Sequence, residues 1–487
     1  MAERLGEAQR GRAIRWWPLV VLGLVQLMVV LDATIVNIAL PSAQADLRLS
    51  EGERHWVITA YVLLFGGLLL LGGRIADRCG TRRVLLLGLV AFAATSALGG
   101  AALGGEMLFV ARGLQGASAA LIAPAALSLL SRIYVLPAER GIAFGVYGAL
   151  SSAGAAIGLL AGGVLTELLD WRWCLYVNIP IAAAAVLGAL LAIPGTAPEN
   201  TVRLDVPGAV LGCGGLTAIV FGFTRTEAHG WADPLVLVLL GAGAVLILAF
   251  VFTQSRVPQP LLRLRILTDR ARGGAFLSVA CTQVALFGFF LFMTFYMQAV
   301  LGYSPVVAGL AFLPLTVATA LGASVLGARA LPRSGPRPLI VSGLLIAAAG
   351  SAWLTALRPD TELVYPLFLL PGQLAIGLGL GLVMMPAMST ATAGVDAADT
   401  GVASATVNAA QQVGGALGTA LLNTIAAGAT ATALATGEDH TAAEVTGYTT
   451  GVAVGAGILT ATALAGFLIL PGKSVSAPEP AHGDVAR

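Results

Sequence analysis

Asp32 lies in VVLDATIVNIALP (29–41), a stretch that is otherwise almost wholly apolar. A charged aspartate at the centre of a bilayer helix costs about 2.5–3.5 kcal/mol on insertion scales. Such a residue is kept where it faces protein or a water-filled cavity, usually for a functional reason. Burial disfavours its charge, which suits it to take up and release a proton; a structural acid bonded to neighbouring helices is the alternative. The other charge inside an apolar run is Arg112, in EMLFVARGLQGASAALIAP (106–124). An arginine keeps its proton but biases an acid beside it, unless it snorkels to the surface. Gln115, three residues on, shares its helical face. Counting the rise per residue, Asp32 and Arg112 sit about 14 Å and about 8 Å below the same face of the membrane. Asn37 points roughly 140° away from Asp32. We therefore expect Asp32 toward a central cavity and Asn37 in helix packing.

The elements that hold these residues must be membrane helices. Of 487 residues, 57% are hydrophobic and 11% charged, with mean hydropathy +0.88; soluble domains carry about 25% charged residues. Apolar runs of about 20 residues recur along the chain. We count fourteen spans, the first over 18–41 and the last over 447–471. Arg4, Arg10, Arg12 and Arg15 precede a first run without a cleavage site, which reads as a retained helix. Of the 27 Lys and Arg, 21 fall on the face carrying the termini and five on the other, with Arg112 inside a span. Positive charge stays cytoplasmic, so both termini are expected in the cytoplasm of a multi-pass protein. Cys79, Cys174, Cys213 and Cys281 are scattered and show no metal spacing. Metal, cofactor and nucleic-acid partners are not expected, and short loops without a nucleophile or clustered carboxylates argue against an enzyme.

The segments GGRIADRCGTRRVLLLG (72–88) and GARALPRSGPRPLIVSG (327–343) superpose at a shift of 255, matching Gly72, Arg78, Gly80, Arg82 and Gly88 to Gly327, Arg333, Gly335, Arg337 and Gly343. This reads as a duplicated six-helix unit: a bundle over 1–195, an inserted pair over 205–254, a second bundle over 272–471 and a tail over 472–487. Residues 194–205 and 255–272 are the expected connectors. Gly73, Asp77, Arg78, Gly80 and Arg82 can form a tight charged loop that latches two bundles in one state and releases them in another. Gly154, Gly158, Gly162 and Gly163 form a small-residue stripe for close helix packing. FGFFLFMTFYMQ (287–298) offers Phe287 and Tyr296 to a planar ligand, and Gln115, Gln283, Gln298, Asn408 and Gln412 are candidate polar contacts.

Together these pieces resemble the major facilitator superfamily, most closely its fourteen-helix drug:proton antiporters. The resemblance rests on LDATIVNIALP (31–41), GRIADRCGTRR (73–83), RGLQG (112–116), DWRWCLYVNIPI (170–181) and NAAQQVGGALG (408–418). It implies an all-α membrane fold of two six-helix bundles plus two inserted helices. It also implies rocker-switch export of small amphiphilic molecules, with proton coupling at Asp32 and Arg112 and gating at Asp77. No cofactor is implied; the proton gradient drives transport, in a monomer of the bacterial plasma membrane. Two departures stand out. Leu159 follows Gly158 where the antiporter motif usually has Pro, and Gln411 stands where Arg is frequent. A same-fold transporter of a lipid, an amino acid or an imported solute stays open as the alternative. With Asp32 nearly alone, a neutral or weakly charged cargo is expected.

Overall fold

The computed structural model describes residues 2–134, 136–195, 205–258, 260–359, 363–392 and 400–471. The connector residues 196–204 and the tail 472–487 lie outside the described residues. The chain forms long helices: α1 (Ala2–Leu47), α2 (Gly52–Cys79), α3 (Thr81–Gly100), α4 (Gly105–Ile133), α5 (Pro137–Leu168), α6 (Trp173–Ala192) and α7 (Val206–His229). They continue as α8 (Pro234–Gln254), α9 (Arg270–Val300), α10 (Pro305–Ser334), α11 (Pro336–Leu354), α12 (Tyr365–Thr392), α13 (Thr400–Ala435) and α14 (His440–Ile469). Thirteen are long and apolar enough to cross a membrane; in α5, 32 residues long, the described apolar part is Ala153–Leu168. No strand occurs among the described residues.

Local chemistry sets the ends. Asp205, Asp233, Asp269 and Asp439 precede α7, α8, α9 and α14, and each carboxylate accepts first-turn backbone N–H groups. That satisfies orphan donors and places negative charge at the positive helix end. Gly80 and Gly335, a shift of 255 apart, take positive φ (93° and 73°) between α2 and α3 and between α10 and α11. Only glycine adopts that region without strain.

In the N-terminal half α1 packs on α5 and α6, and α2 and α3 pack on α4; in the C-terminal half α9 packs on α13 and α14, and α11 on α12 and α14. The halves meet mainly along α2–α13 and α5–α10, with α1 touching α9. One apolar cluster joins both halves near the face opposite the termini, from Leu31–Ala43 of α1 through Phe289–Met297 of α9 to Tyr448 of α14. The contacts there are specific. Gln298 Nε2 donates to the Ile38 carbonyl at 2.9 Å, and the Val306 amide donates to Glu167 at 3.0 Å. A Cβ added at Gly163 would lie 2.6 Å from the Pro305 carbonyl oxygen. That face is sealed. α7 lies over the α2–α13 seam, with Thr424 Oγ1 donating to the Phe223 carbonyl at 2.9 Å, and α8 packs on α7.

Candidate functional site

Five helices build one buried polar cluster in the N-terminal half. Asp32 of α1 is 0% exposed and Arg112 of α4 is 1% exposed. Arg112 Nη1 donates to Asp32 Oδ2 at 2.8 Å and to Gln115 Oε1 at 2.9 Å, while Nε donates to the Val57 carbonyl at 3.0 Å. Asp32 Oδ1 accepts from Gln115 Nε2 at 3.1 Å and from Asn178 Nδ2 of α6 at 2.7 Å. Gln115 Nε2 also donates to Ser96 Oγ of α3 at 2.7 Å. The Tyr61 ring of α2 lies 4.4 Å from the guanidinium carbon. Three donors converge on the carboxylate, which matches an ionised, acceptor-only group. A desolvated ion pair survives only with such geometry and added hydrogen bonds.

Local packing makes the cluster possible. Gly116 follows Gln115, and a Cβ there would overlap the Tyr61 carbonyl oxygen. Gly113 likewise faces Leu64, so α2 and α4 approach until Arg112 reaches the Val57 carbonyl. On α1, Gly158 and Gly162 of α5 press against Thr34 and Ile35.

The structure places the expected residues as follows. Asp32 faces α4 and α6 inside the first half, not an open central cavity, because three donors on those helices enclose it. Arg112 does not snorkel; it is spent on Asp32, Gln115 and Val57. Gln115 belongs to this cluster rather than to a cavity wall, its amide being used on both sides. Tyr296 is 0% exposed and donates to the Arg358 carbonyl, while Gln298 bonds α1, so both belong to the sealed face. Asn37 donates to the Ala33 and Thr34 carbonyls of its own helix.

Gln283, Phe287, Asn408 and Gln412 stay partly exposed on α9 and α13. Phe287 lies against Gly415, and Gln412 against Gly66 of α2. Gln411 Nε2 lies 3.6 Å from Met384 Sδ, and Leu159 is buried where Gly309 of α10 crosses its carbonyl. Around the α2–α3 loop, Asp77 lies 3.8 Å from Arg132 of α4. Arg82 donates to the Ala189 and Leu190 carbonyls at the end of α6. Gly80 supplies the turn, Gly73 faces Pro124, and Arg78 is exposed. Those contacts run to α4 and α6 of the same half; it is Arg74 that reaches the connector, at the Pro260 carbonyl.

Sequence reading missed Asn178, Ser96 and Arg54 as site residues. Asn178 carried a signal, an amide inside an apolar run. Arg54, 4% exposed, lies 4.1 Å from the Phe295 ring centroid and 5.7 Å from that of Tyr448, across the two halves.

Residues 22–419 match the family described as Major Facilitator Superfamily. A puromycin resistance protein of Streptomyces alboniger is 54% identical over 475 residues, covering 97% of this chain and 94% of its own. A cephamycin export protein of Amycolatopsis lactamdurans is 40% identical over 405 residues, covering 82% of each. Among solved structures, an inward-facing, unoccupied bacterial homologue of the human lysosomal transporter Spinster superposes with TM-score 0.64 at 16% identity, covering 95% of this chain and 99% of that one. The chain is a multi-pass membrane protein with this all-helical fold, and it belongs to the Major Facilitator Superfamily.

Proposed function

We propose that the chain is a proton-driven antibiotic exporter that works by alternating access, with Asp32 as its proton carrier. The observation that carries this reading is the enclosed Asp32–Arg112 pair. The relatives named for puromycin resistance and cephamycin export support the cargo class. In this reading the moving bodies are 1–195 and 272–471, with 205–254 as an inserted pair and 472–487 as a tail. The face carrying the termini is cytoplasmic in a bacterial plasma membrane, because it holds 21 of the 27 Lys and Arg. Cargo would contact Gln283, Phe287, Asn408 and Gln412 in a monomer. Gly73, Asp77, Arg78, Gly80 and Arg82 would govern the switch by holding α2, α3, α4 and α6 together.

The chemistry follows from hydrogen-bond capacity. Protonation turns one acceptor oxygen of Asp32 into a donor. Arg112 then loses its counter-ion, and the new O–H faces the donors of Arg112, Gln115 and Asn178, so their contacts must rearrange. Because those partners sit on α4 and α6, proton uptake on α1 alters how three helices pack. The ionised pair thus belongs with the state sealed opposite the termini, and a proton favours its release.

The test uses proteoliposomes and puromycin. Wild type should accumulate puromycin against its gradient when a pH difference is imposed. Asp32→Asn should lose that accumulation yet keep puromycin counterflow, which needs no proton. Proton-driven accumulation at the wild-type rate in Asp32→Asn would reject Asp32 as carrier. No puromycin movement by wild type would reject this cargo.

A further inference from the structure

Protein encloses the Asp32–Arg112 pair, so a proton needs a route to it. Next to the pair lies a cavity of ≈ 10 Å³, the least that admits one water. On α1 it is lined by Val36, Ala39 and Ala43, a stripe that climbs about 10 Å toward the face opposite the termini. On α4 it is lined by Leu108 and, one turn below, by Arg112, its one charged group. The recorded hydrogen bonds of Arg112 use Nε and Nη1, which leaves Nη2 to meet a water there. Cys174 and Trp171 also line it. The Trp171 indole N–H donates to Asp46 at 3.1 Å. Asp46 also pairs with Arg172 at 2.7 Å, and its side chain is 46% exposed.

We propose that this column is the proton's access to Asp32 from the face opposite the termini, separate from the cargo path between the two halves. The inference rests on Asp32 being the proton carrier. Asp46, held by Trp171 and Arg172, marks the mouth at the surface, and a water in the cavity relays the proton past Arg112. The balance is hydronium plus Asp32 carboxylate giving water plus Asp32 carboxylic acid; Arg112 keeps its charge. The titratable and charged groups facing the route are Arg112, Tyr61 and Cys174 along it, and Asp46, Asp170 and Arg172 at its mouth. The apolar walls give water few partners, while a held water needs 2–4. Occupancy is therefore brief, which lets protons cross one at a time without a standing leak.

The test is time-resolved infrared spectroscopy of the purified full-length protein after a pH drop. The band to follow is the protonated-carboxyl stretch that disappears in Asp32→Asn. Ala39→Leu, which fills the cavity, should slow the rise of that band about tenfold or more. Ala39→Ser should leave it unchanged, and Leu108→Ala, which widens the cavity, should speed it. A wild-type rate in Ala39→Leu overturns the route. If Ala39→Leu does not fold, as judged by size-exclusion elution, an unchanged rate in Leu108→Ala overturns it. A wild-type spectrum with no band lost in Asp32→Asn rejects instead the reading of Asp32 as carrier, and the route falls with it.

Discussion

Asp32 and Arg112 are bound by an asymmetry. Together they satisfy each other; alone, either is an uncompensated charge in an apolar interior. Removing one partner of a buried pair costs about 3–5 kcal/mol, while replacing both with apolar or neutral groups is often neutral. Arg112→Met should therefore lower thermal stability sharply, and Asp32→Asn/Arg112→Met should recover most of the loss while remaining unable to couple protons. A thermal-shift double-mutant cycle in detergent reads this; single and double variants with additive losses would show that the pair does not stabilise the fold. At this scale the two charges were legible, because ionisable groups inside apolar runs are rare and costly. Their pairing was legible only as similar depth. The facing direction was not, since it depends on how α1 is rotated against α4 and α6. Asn178 stands as an amide in an apolar run, but nothing in its own neighbourhood says that it caps Asp32 at 2.7 Å.

Between helices, the distance of approach is decided one glycine at a time. Gly72 and Gly73 are neighbours on α2, but a Cβ at Gly72 would overlap the Ala120 carbonyl oxygen of α4. At Gly73 the nearest atom is Pro124 Cβ at 3.6 Å, an ordinary contact. Gly72→Ala should therefore destabilise by about 1–3 kcal/mol through overpacking, despite better helix propensity. Gly73→Ala should be neutral or gain up to ~1 kcal/mol, the helix-interior difference between Gly and Ala. Equal melting temperatures for the two variants would refute the packing account. In the second half Gly343, the counterpart of Gly88, would carry a Cβ 2.7 Å from the Gly379 carbonyl and follows the same rule. Spans and their order were readable from hydropathy because each helix must cross the same apolar slab. The stripe Gly154, Gly158, Gly162 was readable as a packing face, since a four-residue repeat of small side chains has few other uses in a membrane. Its partner, α1, was not readable, nor was the role of Gly163 against Pro305 of α10. Helical repeats name a face but not the helix that meets it.

Across the whole molecule, the sealed face raises a question of sign at Arg54. Counting charges by side treats this residue as one more loop arginine; the fold instead presses it between the halves, over Phe295 and near Tyr448, with no ion pair recorded among the described residues. A desolvated cation–π contact is worth about 2 kcal/mol. Taking the charge out of water costs several kcal/mol even after relaxation. The larger number wins, so Arg54 acts as a spring against closure rather than as a latch, and opening this face returns its charge to water. Gln298 on Ile38 and Val306 on Glu167 supply the opposing hydrogen bonds, about 1 kcal/mol each. Arg54→Leu should therefore deepen the sealed state. In a variant whose native cysteines are replaced, spin labels at Leu103 and Leu363, both exposed on that face, report the separation of the halves. Their distance distribution should lose its long component in Arg54→Leu, and transport should slow as reopening becomes harder. A longer mean distance in the variant would instead make Arg54 the latch, and would mean that the aromatic contacts outweigh the hydration the cation gives up.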